Sequence, residues 1–225
     1  MRPGLFCILC MSVSAFAADN DVLVFGGTGR LGAPIVTLLV EAGYSVTVFA
    51  RPTSDRERLE GLDIRYATGD LLNIDDVVAA FGQGDFRFVI DATSRRGNDS
   101  IFYDDAMAHI LGGVNTGNVR QILYHGSIGA GDNMKEFPDI DYSRMRDVML
   151  AKGRAEELLI ASGVTYTIIR NGMVRLDGTP ATGTAALIED TSVNGPVTRA
   201  DLALLTMECI GNEACFNRIY HAVDN

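Results

Sequence analysis

The run Asp21-Val-Leu-Val-Phe-Gly-Gly-Thr-Gly-Arg-Leu-Gly32 constrains this chain more than any other part of it. The apolar stretch Val22–Phe25 reads as a buried strand and leads straight into glycines, which open an apolar segment of helical spacing. Strand, tight turn and helix in that order are the context a dinucleotide fingerprint requires. Glycine is needed there because a side chain would keep the backbone away from a pyrophosphate, whose charge rests on the free N–H groups of the helix start. Two registers fit, Gly27-x-Gly29-x-x-Gly32 and Gly26-x-x-Gly29-x-x-Gly32. Either match is weak in isolation, so the weight falls on the residues that follow.

The N-terminal residues stand apart from this pattern. Arg2 gives a short positive start, Leu5 to Phe16 is an apolar core, and Ala15-Phe16-Ala17 is a small-x-small cleavage site. These features define a secretory signal over 1–17, too short to span a bilayer comfortably. Residues 18–225 are then expected to form one domain of ordinary size, periplasmic or secreted, or cytoplasmic if the segment is not a signal. The net charge of −10 without a basic run suits nucleic acid poorly, because nothing would displace the phosphate counterions. No later segment approaches the length of a membrane span.

Cys7 and Cys10 leave with the signal, which leaves Cys209 and Cys215. An even pair in an oxidising compartment suggests a disulfide between the last helix and the segment after it, the alternative being two buried thiols in a cytosolic protein. His109, His125 and His221 are isolated, without metal-ligand spacing. The expected partner is a small-molecule substrate, and the chain is expected to be a monomer or a homodimer.

Apolar runs and helical segments alternate along the rest of the chain. Strands are expected over Val22–Phe25, Ser45–Ala50, Ile64–Ala67, Phe86–Ile90, Arg120–Tyr124, Val164–Ile169 and Arg218–Val223. Helices are expected over Leu31–Ala42, Ile74–Phe81, Ile101–Leu111, Arg146–Ala161 and Ala200–Ile210. Such alternation implies crossover units and a single Rossmann-type, doubly wound α/β domain with a parallel sheet. Gly172–Pro196, rich in Gly and Thr, is expected to be a small irregular region on the substrate side, beyond the carboxyl end of a strand.

Chemistry-bearing residues collect at the expected strand ends. Arg51 ends the second strand, about twenty positions beyond the glycine turn, where an acidic residue would hold the ribose 2′-hydroxyl of NAD and an arginine accepts a 2′-phosphate. Arg30 adds a second positive charge, so NADP(H) is favoured over NAD(H); the alternative is a solvated arginine opening a polar loop. Asp70 and Leu71 follow the third strand, where a carboxylate accepts from an adenine amino group, although Asp-Leu there is also a common helix cap. Ala92 and Thr93 follow the fourth, small residues where backbone would pass close to a cofactor. Ser127, in His125-Gly-Ser-Ile-Gly-Ala130, follows the fifth.

With these residues in place the sequence resembles an atypical short-chain dehydrogenase/reductase, in the NAD(P)H-binding group that includes flavin and biliverdin reductases and NmrA-like proteins. The resemblance is carried by Gly26-Gly-Thr-Gly-Arg-Leu-Gly32, Arg51, Gly69-Asp-Leu71 and His125-Gly-Ser-Ile-Gly-Ala130, then by Lys152 with Glu156 and Leu159, Ser162–Arg170, and Arg199-Ala-Asp201-Leu-Ala203. It implies that Thr28, Gly29, Arg30 and Leu31 line the pyrophosphate, that Arg51 binds the 2′-phosphate, and that Asp70 and Leu71 flank the adenine. It further implies that Lys152 bonds the nicotinamide ribose and that Ser127 lies beside the nicotinamide or substrate, making Ser127 and Lys152 the expected catalytic pair. Taken alone, Lys152 could equally be a surface helix lysine paired with Glu156.

The departures from the family pattern bear on function. Catalytic members of the wider superfamily carry a tyrosine four residues before this lysine, and here that position is Val148. Tyr142 lies further upstream, and Asn171 stands where the family usually has proline. A reductase without the phenol suits an acceptor protonated by solvent, such as a flavin, better than a ketone that needs a general acid at its oxygen. The expectation is therefore hydride transfer to a small acceptor, with a non-catalytic, NmrA-like nucleotide sensor as the alternative.

Overall fold

Successive residues of a strand point to opposite faces of a sheet. In β1 (Asp21–Phe25) both faces are apolar: Leu23 and Phe25 enter one core, Val22 and Val24 the other. A strand buried on both sides needs helices on both sides, and the computed structural model, which describes residues 20–95, 102–114 and 118–224, has that arrangement. The expected signal at 1–17 lies outside the described residues.

The chain continues through α1 (Gly32–Glu41), β2 (Ser45–Ala50), β3 (Arg65–Thr68), α2 (Ile74–Phe81), β4 (Phe88–Asp91) and α3 (Phe102–Gly113). It then forms β5 (Gln121–Ser127), α4 (Arg146–Ala161), β6 (Tyr166–Asn171), β7 (Met173–Val174), β8 (Ala185–Ile188), β9 (Pro196–Val197), α5 (Arg199–Cys209) and β10 (Arg218–Asp224). The main sheet has the order β3-β2-β1-β4-β5-β6-β10-β8, parallel throughout except at β10–β8. Helices α2, α3 and α4 cover one face, with Val77, Met107, Ile110 and Leu159 in that core. Helices α1 and α5 cover the other through Ile35, Val36, Leu39 and Ala203. The strand order reverses between β1 and β4, so a crevice opens at their carboxyl ends.

The doubly wound α/β fold is the expected one, with corrections in the region Gly172–Pro196. Gly172–Pro196 is not wholly irregular. It contains β8, which adds antiparallel to β10 with Ile188 opposite His221, and it begins and ends at the small parallel pair β7–β9. A four-residue edge strand, half-buried along its length, carries too little alternation to register as a period. Strands β5 and β6 also run further than expected, so that Ser127 and Asn171 are paired within the sheet.

Among the described residues no helix is long and apolar enough to cross a membrane. The sulfurs of Cys209, at the end of α5, and Cys215 lie at disulfide distance, with Cα atoms 5.4 Å apart. Both residues are buried.

Candidate functional site

The glycine turn adopts one of the two registers. Gly26 has φ +75°, and a Cβ there would stand 2.7 Å from the carbonyl carbon of Ala92 and 2.8 Å from Thr93 Cα. The Gly29 N–H donates to Gly26 O at 2.9 Å, and a Cβ on Gly32 would run into that same carbonyl. Gly26, Gly29 and Gly32 therefore shape the turn. Gly27 serves packing, since a Cβ there would meet Val48 of β2 at 2.8 Å. The first turn of α1 has neither a capping side chain nor an acidic residue, so its partial positive charge remains available to an anion.

A cleft of about 590 Å³ opens over the carboxyl edge of the sheet. Twelve of the expected site residues line it together: Gly26, Thr28, Gly29, Arg30, Leu31, Arg51, Asp70, Leu71, Ala92, Thr93, Ser127 and Lys152. Gly32 lies beneath the turn rather than on the wall. Among the described residues the charged lining consists of Arg30, Arg51, Arg95, Lys152 and Arg199 with Asp70, in a chain whose net charge is −10. Such a concentration of one sign in a concave site draws anions. Asp70 is not the helix cap: Asn73 caps α2, while the Asp70 carboxylate accepts the Leu72 N–H at 3.0 Å and closes the turn before it.

At the other end of the cleft Lys152 is 8 % exposed, with Nζ 4.7 Å from the centroid of the Tyr103 ring. Burial pulls its ammonium down to about 8, while the charges of Asp91 and Glu156 hold it up. Lys152 is thus no surface lysine, and the Glu156 carboxylate is taken by Arg170 instead (Nη2 to Oε2 2.7 Å). Val148, one helical turn before Lys152, packs against the core shared with α3 and supplies no proton. The Tyr142 hydroxyl does not replace the missing phenol. It is buried against Gly129, where a Cβ would come within 2.5 Å of it, and it does not line the cleft.

Several lining residues were not expected as site residues. His125 is buried with Nδ1 3.1 Å from Asn171 Oδ1 and Nε2 3.0 Å from Thr206 Oγ1. Its burial lowers the imidazole pKa to about 4, so the ring is neutral at physiological pH. Asn171 joins the cleft wall, as do Phe102, Arg199 and Leu202. His125 reads as isolated in the sequence because its partners come from β6 and α5, far along the chain. Arg199 lies within the Arg199-Ala-Asp201 motif, which carried the resemblance without a role for the arginine.

Fold and site together define a nucleotide-binding domain of the Rossmann type, with an anion-seeking cleft at the switch point of its sheet. The chain belongs to the NAD(P)H-binding family, whose model matches residues 26–213. It is 24% identical over 207 residues to YhfK, an uncharacterized sugar epimerase of Bacillus subtilis, covering 88% of this chain and 92% of that protein. Among solved structures it is similar to ChuY, an anaerobillin reductase from Escherichia coli O157:H7 (TM-score 0.77, 23% identity, 91% and 97% of the two chains). It is also similar to a wide-type short-chain dehydrogenase/reductase from Veillonella parvula in complex with NADP (TM-score 0.71, 14% identity, 91% and 94%). At these identities the structural likeness speaks for the fold.

Proposed function

We propose that the protein binds NADP(H) in preference to NAD(H) and acts as an oxidoreductase on a small-molecule acceptor. The observation that carries this reading is the charge of the cleft wall, where the described lining holds five basic side chains and one acidic one. Arg30, on the glycine turn and reached by Asp177 from outside the wall at 3.4 Å, and Arg51, just after β2, are two of the five. The turn itself fits a diphosphate, because Gly26, Gly29 and Gly32 leave the backbone bare beside an uncapped helix start. In this reading Thr28, Gly29, Arg30 and Leu31 hold the diphosphate and Arg51 with Arg30 holds the 2′-phosphate. Asp70 and Leu71 flank the adenine, Ala92 and Thr93 line the middle, and Lys152 and Ser127 meet the nicotinamide half. When bound, the cofactor supplies the hydride.

The protein's own part at the reacting end is modest. Val148 offers no acid, and Lys152 Nζ is the group there that holds a proton at neutral pH and releases it near pH 8. This favours acceptors whose reduced form takes its proton from solvent, such as flavins or quinones, over simple ketones. Residues 1–17 as a secretory signal belong to the same reading, supported by the Cys209–Cys215 pair, since structural disulfides persist in oxidising compartments. Val148 also favours a second reading, a sensor that holds the nucleotide without turnover.

Following NADPH consumption with flavin and quinone acceptors tests the proposal. The expected result is acceptor-dependent oxidation that falls at least about tenfold in Lys152→Met. Saturable binding with no consumption across acceptors would favour the sensor.

A further inference from the structure

The segment between β7 and β8 forms a strap fixed at both feet. At one foot the Arg175 N–H donates to Val197 O at 2.9 Å. At the other the backbone N–H groups of Thr182 and Gly183 donate to the Asp201 carboxylate at 3.0–3.2 Å. Between them the tip turns on itself, with the Thr179 hydroxyl donating to Leu176 O at 2.8 Å, and Leu176 is 87 % exposed. The tip therefore has little burial of its own to hold it.

Its tie to the nucleotide half of the molecule is Asp177. Arg30 Nε and Arg58 Nη2 both approach Asp177 Oδ2, each at 3.4 Å. Arg30 belongs to the glycine turn and lines the cleft. Arg58 sits on a short helical turn after β2, beside Leu59, which is buried in the core under α1. Two guanidinium groups from separate loops converge on one carboxylate oxygen at the point where Arg30 joins the cleft wall.

All three side chains remain 38–50 % exposed, and ion pairs of that kind exchange readily. A phosphate monoester carries nearly twice the charge of a carboxylate, with three acceptor oxygens, and arginine matches it well. Resting on the NADP(H) reading, we infer that Asp177 and Arg58 determine nucleotide specificity in this chain. Asp177 occupies Arg30 and Arg58 in the free protein, and a 2′-phosphorylated nucleotide takes both guanidinium groups from it and frees the strap tip.

Calorimetric titration with adenosine 2′,5′-bisphosphate and adenosine 5′-monophosphate tests this in wild type, Asp177→Asn and Arg58→Ala, with melting curves confirming that each is folded. Tighter binding of the bisphosphate than of the monophosphate by wild type is the outcome the NADP(H) reading requires, and equal or absent binding overturns that reading and this inference together. Given that preference, Asp177→Asn should bind the bisphosphate roughly threefold to fivefold more tightly, and Arg58→Ala should weaken it by a similar factor. Monophosphate binding should change less than bisphosphate binding in both variants, since Arg58 has no part in holding the 5′-phosphate and Arg30 is shared. An unchanged or weakened bisphosphate affinity in Asp177→Asn, or an equal change for both nucleotides, overturns the role of Asp177 while leaving the NADP(H) reading standing.

Discussion

Arg170 grips the Glu156 carboxylate through two nitrogens, Nη2 at 2.7 Å and Nε at 3.1 Å from Oε2, with both side chains less than a tenth exposed. The pair joins β6 to α4 directly behind the lysine end of the cleft. It also accounts for Gly126, since a Cβ there would stand 2.6 Å from Glu156 Oε1. Burial raises the Glu156 pKa and the Arg170 guanidinium opposes that rise. A buried charge held this way depends on its partner.

Glu156→Gln should therefore cost about 3–5 kcal/mol of stability, because it leaves the Arg170 guanidinium buried and uncompensated. Urea denaturation reads this directly. Glu213→Gln, which breaks the exposed pair with Arg120 (3.1 Å), should cost less than about 1 kcal/mol. Equal losses in the two variants would contradict the role given to burial.

Lys152 should lose its proton near pH 8 rather than near its ordinary 10.5, because burial penalises the ammonium. The pH dependence of Lys152 acylation, read by peptide mass, gives the midpoint. Asp91 supplies a charge that holds the ammonium up, so Asp91→Asn should move the midpoint to lower pH. A midpoint unmoved by that substitution would break the link between Asp91 and Lys152.

His125 makes acid unfolding steeper. Its folded pKa of about 4 lies below the unfolded 6.5, so the unfolded chain takes up the proton first as pH falls. The stability contributed by the neutral ring is fully present above pH 6.5 and is lost toward pH 4, at about 1.4 kcal/mol per pH unit. His125→Gln should be less stable at pH 7, through the lost contacts to Asn171 and Thr206, yet show a shallower decline between pH 6.5 and 4. Parallel declines in the two proteins would show that another group governs this range.

The Cys209–Cys215 pair closes a short loop, and a bond between them should contribute about 2 kcal/mol through the unfolded chain. Cys209→Ala/Cys215→Ala should lower the melting temperature accordingly, and a reductant should have no effect on that double variant. A disulfide leaves no thiolate to alkylate, so in the unreduced wild type Cys209 and Cys215 should resist alkylation even when the chain is unfolded, and should accept it only after reduction.

The fold was largely legible because short apolar runs, buried on both faces, recur between segments of 3.6 period along most of the chain from Val22 to Ala161. Helices α2 and α4 begin and end where their spacing places them, over Ile74–Phe81 and Arg146–Ala161. The glycine-turn end of the cleft was legible for a local reason: a glycine turn and the arginine after the next strand are read from a few adjacent residues. What escaped notice depends on distant partners. The half-buried Ala185–Ile188 becomes a strand only because β10 offers it an edge. His125 and Asn171 meet only across β5 and β6, and Asp177 reaches Arg30 and Arg58 from the far half of the chain.

The central claim, an NADP-type site at the glycine turn, is tested most directly by titrating purified residues 18–225 with NADPH and with NADH. Saturable NADPH binding, tighter than NADH binding and weakened at least about tenfold by Arg51→Ala with NADH affinity unchanged, is the result this account predicts. Absence of binding by either nucleotide, or equal affinities indifferent to Arg51, would contradict it.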